Sequence, residues 1–167
     1  MMAVTTLAKV LETLGALVYS GPLIAFALLL VFRGRIAHVR DEDVVRVYRA
    51  FGPGFGLAMG AMVFGALWRY PRLVNPGAGL PGAFALRWGN SVEQLSAIQA
   101  ILFVVLWVNY IALEIWSLEP CRLLDKDGQV TDRPAYASAT ARVARHAATN
   151  AAIFVAIAIL HALGARP

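Results

Sequence analysis

Two histidines near the carboxyl terminus are the residues of this chain with the clearest capacity for chemistry. His146 and His161 lie 15 residues apart in one apolar stretch, which corresponds to about 22 Å along an α-helix. A neutral imidazole is a common axial ligand of haem iron. At that separation the two rings cannot ligate one haem. Each would serve its own haem b, with a second ligand from elsewhere, or share one haem with a partner subunit.

Polar side chains recur along two apolar stretches near the end of the chain. Their spacings are 3, 4 and 11 residues, which return to nearly the same side of a helix with 3.6 residues per turn. Two antiparallel helices carrying such rows would form a polar seam, and ionisable groups inside a membrane are functional candidates. The expected contacts of this seam are Glu114 with His146 or Arg145, Tyr110 or Asn109 with Asn150, and Gln99 with His161.

Long apolar segments make up most of the chain that carries these residues. The chain is 59% hydrophobic and 15% charged, against roughly 45–50% and 25% in soluble domains. A membrane-spanning helix needs about 20 apolar residues. The sequence predicts an all-α integral membrane protein with one membrane domain, residues 1–167. Its four transmembrane helices, in an up-down bundle, are approximately residues 10–32, 51–68, 93–118 and 136–164.

The second predicted span is rich in glycine. Gly52, Gly56 and Gly60 recur every four residues, and Gly65 continues a second ridge of small side chains. Small residues at this spacing let helices approach closely inside lipid. These four glycines are therefore predicted helix-packing positions.

Three local patterns mark where helices should start. Asp41 is suited to cap a short helix that runs into the second span. The Ser91–Gln94 pair has the capping-box pattern at the start of the third helix. Asp132 with Pro134 marks the start of the fourth.

The basic residues predict the topology. The connections 33–50 and 119–145 carry five Arg or Lys residues each, the 69–90 loop carries three, and each terminus carries one. The positive-inside rule then places the two richer connections in the cytoplasm and both termini outside. We expect a multi-pass protein of the bacterial inner membrane. The net charge of +5 reflects this distribution and does not indicate nucleic-acid binding.

Catalytic motifs are absent from the sequence. It contains no GxSxG, HExxH or P-loop pattern. The single cysteine, Cys121, excludes an intrachain disulfide and forms no CxxC motif. No catalytic residue and no metal site are predicted, and the chain is not expected to be an enzyme.

The first span carries a resemblance to a known family. Leu11 to Phe32, with Gly15 and Gly21, is followed by an arginine-rich connection. In this pattern the first two spans resemble small bacterial inner-membrane proteins of the copper-resistance-D type. The resemblance implies copper handling through histidine and methionine inside the membrane. The first three predicted spans contain no histidine, so no residue role is transferred from that family.

Three functions remain open from the sequence. The expected one is a non-catalytic accessory subunit or assembly factor of a larger membrane complex, with the bilayer and other membrane subunits, or further copies of itself, as partners. A second is an electron-transfer subunit that binds haem or quinone through His146 and His161. A third is a small-ion or copper-handling membrane protein.

Overall fold

The protein is all-helical. A computed structural model describes residues 2–32, 35, 41–74, 86, 88–127 and 129–164. These residues contain no β-strand, only an isolated bridge between Leu124 and Val130. The helices are α1 (Met2–Phe32), α2 (Asp41–Val74), α3 (Ser91–Trp116), α4 (Leu118–Arg122) and α5 (Arg133–Gly164).

Three stretches of the described chain are long and apolar enough to cross a membrane. They are Thr6–Leu29, Glu93–Arg122 and Arg133–Leu163, with mean hydropathies of 1.5, 2.0 and 1.7. The apolar part of α2, Gly54–Gly65, is shorter. This pattern suggests a membrane protein, in agreement with the sequence-based prediction. Many large apolar side chains along α1 and α3 are exposed, as expected of helices that face lipid.

The helix α2 is longer than the span predicted over residues 51–68. It begins at Asp41, includes the segment expected to run into that span, and continues to Val74. The predicted loop 69–90 therefore starts later than expected. Residues 75–85 and 87 lie outside the described part of the chain, and with them most of that loop.

Side-chain caps explain where α3 and α5 begin. Asn90 has extended backbone angles, and its side-chain oxygen accepts a hydrogen bond of 2.9 Å from the backbone N–H of Glu93. The cap thus lies one residue before the predicted Ser91–Gln94 pair. Asp132 caps α5 as expected, because its carboxylate accepts from the backbone N–H of Ala135 at 3.0 Å.

Glycines bring α1 and α2 into close contact. A Cβ atom built on Gly15 would lie 2.5 Å from the carbonyl oxygen of Ala58. One built on Gly65 would lie 2.5 Å from the carbonyl oxygen of Ala8 and 2.8 Å from the backbone nitrogen of Glu12. The paired residue numbers rise on α1 as they fall on α2, so the two helices are antiparallel. Only glycine permits this separation of the backbones.

Candidate functional site: a polar cluster between the helices

A single tyrosine ring lies where the four long helices meet. Tyr19 of α1 is 1% exposed. Its ring meets Phe55 of α2 and Tyr110 of α3 edge-on, with centroids 6.4 and 5.6 Å apart. It also lies 6.5 Å from the ring of Phe154 on α5. The Tyr19 ring therefore contacts aromatic side chains of the other three long helices.

Four polar side chains on three helices form a continuous series of hydrogen bonds, which we call the amide chain. His146 Nδ1 of α5 lies 2.6 Å from Asn109 Oδ1 of α3. The amide nitrogen of Asn109 donates to Asn150 Oδ1 at 2.8 Å and to the His146 carbonyl oxygen at 3.0 Å. The amide nitrogen of Asn150 donates to the Tyr19 hydroxyl at 3.2 Å. The amide chain thus joins α5 to α3 and α1.

The orientation of the Asn109 amide determines the protonation of the His146 ring. Both acceptors of Asn109 Nδ2 lie on α5, so its oxygen must be the atom that faces His146. An amide oxygen only accepts hydrogen bonds, and the ring Nδ1 must therefore carry the proton. In the neutral imidazole the other nitrogen, Nε2, then holds a free lone pair. The imidazole ring of His146 forms no further hydrogen bond with the described residues.

A carboxylate on the opposite side of α3 forms a second polar group. Glu114 Oε1 accepts a 2.9 Å hydrogen bond from the Tyr48 hydroxyl of α2, and Arg49 Nη1 lies 3.7 Å from Oε2. Arg49 also donates to Ser117 Oγ at 3.2 Å. Burial, together with the negative charge of Glu114, raises the pKa of Tyr48. The phenol therefore keeps its proton and acts as a hydrogen-bond donor to the carboxylate.

An ion pair and a hydrogen bond explain how the charge of Glu114 is tolerated in the bundle. A carboxylate removed from water is costly unless it is paired and hydrogen-bonded. Arg49 supplies the opposite charge and Tyr48 supplies a donor. Tyr110 lies one turn earlier on the same side of α3. This group binds α2 to α3, as the amide chain binds α3 to α5 and α1.

A third polar contact lies at the end of α3 and the beginning of α5. Arg142 Nη1 donates to Glu119 Oε2 at 3.1 Å, and its guanidinium carbon lies 4.4 Å from the centroid of the Trp116 ring. Both charged side chains are partly exposed, so the ion pair contributes little stability by itself. Arg145 is exposed, and within the described part of the chain it forms no ion pair.

The structure brings together only part of the predicted seam. Asn109 and Asn150 are hydrogen-bonded, as expected, but Glu114 contacts neither His146 nor Arg145 and faces α2 instead. Asn109 and Glu114 are five residues apart, which places them about 140° apart around the helix axis. They therefore cannot face the same neighbouring helix.

The remaining predicted seam residues lie apart from the cluster. Gln99 is half-buried and His161 is exposed, and neither forms a hydrogen bond to the other or to any other described residue. Of the two predicted cofactor ligands, His146 has a side-chain partner, Asn109, whereas His161 has none among the residues that the structure describes.

The four predicted packing glycines have different surroundings. A Cβ on Gly52 would lie 3.7 Å from Glu114 Oε2, and one on Gly56 would lie 3.3 Å from the Tyr110 hydroxyl. These two glycines thus face the polar side chains of α3. Gly65 faces the backbone of α1, whereas a Cβ on Gly60 would meet no atom of the described residues within 4 Å.

Sequence reasoning did not identify three residues of the cluster, Tyr19, Tyr48 and Arg49. A tyrosine alone within an otherwise apolar span is a usable signal, because a buried phenol needs a hydrogen-bond partner. Tyr19 fits that description. Tyr48 and Arg49 precede the predicted second span, and only the extension of α2 to Asp41 places them against α3.

Comparisons with protein-family models, curated proteins and solved structures find no match to this chain.

The residue types limit what the cluster can do. The described residues contain no group of three or more His, Cys, Asp or Glu side chains that could hold a metal ion. Asn109 and Asn150 are amides, which neither gain nor lose a proton near neutral pH. They orient the His146 ring and separate it from the tyrosines.

Proposed function

We propose that this protein is a non-catalytic accessory subunit or assembly factor of a larger membrane complex. The supporting observation is the amide chain, whose hydrogen bonds run from helix to helix. Asn150 is fully buried, and both atoms of its amide group are used within the bundle. Such contacts fix the register of packed helices and act as structural links.

The free energy that such hydrogen bonds contribute agrees with a structural role. Interhelical polar pairs in membranes contribute about 0.6–2 kcal/mol each, and the amide chain contains three hydrogen bonds between different helices besides the contact of the His146 ring. A proton path along this chain is disfavoured, because the two amides interrupt it.

The proposal includes a membrane arrangement. We propose four transmembrane helices in an up-down bundle, with α2 as the second span and its ends extending beyond the bilayer. The antiparallel contacts of α1 with α2 and the length of α2 support this arrangement. The unequal distribution of Arg and Lys supports an inner-membrane protein with both termini outside the cytoplasm.

Extraction in a mild detergent followed by native mass spectrometry tests the proposal. An accessory subunit should appear in a complex of fixed stoichiometry, with other membrane proteins or with further copies of itself. Asn150→Ala should weaken that complex and lower the thermal stability of the chain. His161→Ala, which removes no side-chain hydrogen bond to another described residue, should leave both unchanged. A stable monomer that catalyses a reaction by itself would overturn the proposal.

One observation favours a second candidate, an electron-transfer subunit that binds haem or quinone. The observation is the oriented ring of His146, with its Nδ1 proton held by Asn109. Histidines that ligate metals commonly donate their other ring proton to a carbonyl or carboxylate oxygen, which fixes the ring and increases the basicity of the ligating nitrogen. A reduced-minus-oxidised absorption spectrum of the extracted complex distinguishes this candidate from a colourless structural subunit.

A further inference from the structure

We propose that His146 Nε2 is an axial ligand for haem iron on the surface between α3 and α5. This inference rests on the electron-transfer candidate and names its ligand. It is independent of whether the chain is also an accessory subunit. Of the two histidines named from the sequence, it assigns the role to His146 alone.

Asn109 fixes the tautomer of the His146 ring. Asn109 Nδ2 is held by two acceptors on α5, at 2.8 and 3.0 Å, so its oxygen is directed to His146 Nδ1 at 2.6 Å. Nε2 is therefore an electron-pair donor. An electron-pair donor suits a metal ion or an O–H group. It does not suit the carbonyl oxygen of an oxidised quinone, which needs a hydrogen donor.

The membrane environment of Nε2 favours an external ligand. His146 lies within Arg133–Leu163, a stretch able to cross a membrane. A polar atom in hydrocarbon without a partner is costly, and the described chain offers Nε2 no hydrogen bond. The ring is partly exposed, so an external ligand can reach it.

Charge beside the ring distinguishes haem from a quinol or a bare metal ion. Arg145 immediately precedes His146 and is exposed, whereas Arg142, four residues before His146, is already paired with Glu119 and stacked on Trp116. The positive charge of Arg145 disfavours a bare divalent cation. It suits a tetrapyrrole that carries anionic carboxylate arms, because Arg binds carboxylates well. A neutral quinol would make no use of this charge.

The neighbouring surface is suited to a flat apolar ligand. On α3, Val105 and Val108 flank Asn109 and are 45% and 59% exposed. On α5, Thr149 is one turn beyond Arg145 and is also exposed. These exposed side chains are short, so the surfaces of α3 and α5 that carry Asn109 and His146 present no large side chain at these three positions to a porphyrin plane. The second axial ligand would come from a partner subunit or from solvent.

A titration of the full chain with hemin tests the proposal. The purified protein in mild detergent is titrated with hemin, and binding is followed by the Soret band and by the reduced-minus-oxidised spectrum. We expect one hemin per chain and loss of this binding in His146→Ala. His161→Ala is the matched control on the same helix and should bind as the unmodified chain does. Asn109→Leu should weaken binding by about 10–100-fold, because it removes the group that orients the ring.

Rescue distinguishes a lost ligand from a misfolded variant. Added imidazole should restore the axial-ligand spectrum to His146→Ala, which a purely structural role of His146 would not produce. Equal hemin binding by the unmodified chain and His146→Ala would overturn the proposal. It would also be overturned if the unmodified chain bound a quinol analogue saturably but bound no hemin, and if His146→Ala abolished the binding of that analogue. Native mass spectrometry of the same His146→Ala sample reports separately on the accessory-subunit proposal.

Discussion

Replacing Gly65 by alanine should disrupt the contact between α1 and α2. The added methyl group would lie 2.5 Å from the carbonyl oxygen of Ala8, and 2.7 and 2.8 Å from the Cβ and backbone nitrogen of Glu12. Two of these three atoms belong to the backbone and cannot rotate away, so α1 must move. Gly60→Ala is the matched control on the same helix, since a Cβ there meets nothing within 4 Å.

Both substitutions change the helix propensity of α2 in the same way, so this contribution cancels in the difference in stability between the two variants. Alanine is favoured over glycine in a helix interior by up to about 1 kcal/mol, and both variants receive this contribution. Their difference is therefore the cost of overpacking at Gly65, about 1–3 kcal/mol. For a chain of this size, each kcal/mol shifts Tm by about 2–4 °C. Gly65→Ala should consequently melt several degrees below Gly60→Ala.

Thermal unfolding in detergent, followed by helical circular dichroism, measures this difference. Unfolding by sodium dodecyl sulphate in mixed micelles gives the same comparison at constant temperature. If the two alanine variants unfold at the same midpoint, the close approach of α1 and α2 at Gly65 is wrong. A lower midpoint for Gly60→Ala than for Gly65→Ala would contradict it more strongly.

Three further predictions concern the polar cluster and the topology. Asn150→Ala should lower the free energy of unfolding by about 1–3 kcal/mol, because it leaves buried hydrogen-bonding groups unpaired. His161→Ala should change that free energy by less than about 0.5 kcal/mol. Equal melting temperatures of the two variants in detergent would contradict this prediction. Glu114→Gln, which keeps an acceptor for the tyrosine hydroxyl, should be less destabilised in the same melts than Glu114→Ala, and the reverse order would contradict the described hydrogen bond. Lys126→Cys in a Cys121→Ser background should react with an impermeant maleimide from the cytoplasmic side of oriented vesicles, and labelling only from the other side would reverse the topology.

The sequence was informative about which residues share a helix face. Tyr110 and Glu114, four residues apart, face the same side of α3, and His146 and Asn150 share a face of α5. Helical periodicity alone determines such relations. The lengths of the apolar runs likewise predicted the three helices that are able to cross a membrane.

The identity of the facing helix was not predictable in the same way. Glu114 was expected to meet α5 and instead meets α2, because α2 extends back to Asp41 and carries Tyr48 and Arg49 to that side. Neither residue belongs to an apolar run, so hydropathy gave no reason to place them in the bundle. The central position of Tyr19 likewise depends on how four helices pack, which periodicity within one helix does not specify.

Native mass spectrometry of the full chain, extracted from membranes in mild detergent, is the decisive test of the proposal that this chain is a non-catalytic subunit of a membrane complex, held together by its internal polar contacts. We expect a complex of fixed stoichiometry that persists in His161→Ala and is weakened in Asn150→Ala. A chain that remains a monomer under these conditions and turns over a substrate by itself would contradict it.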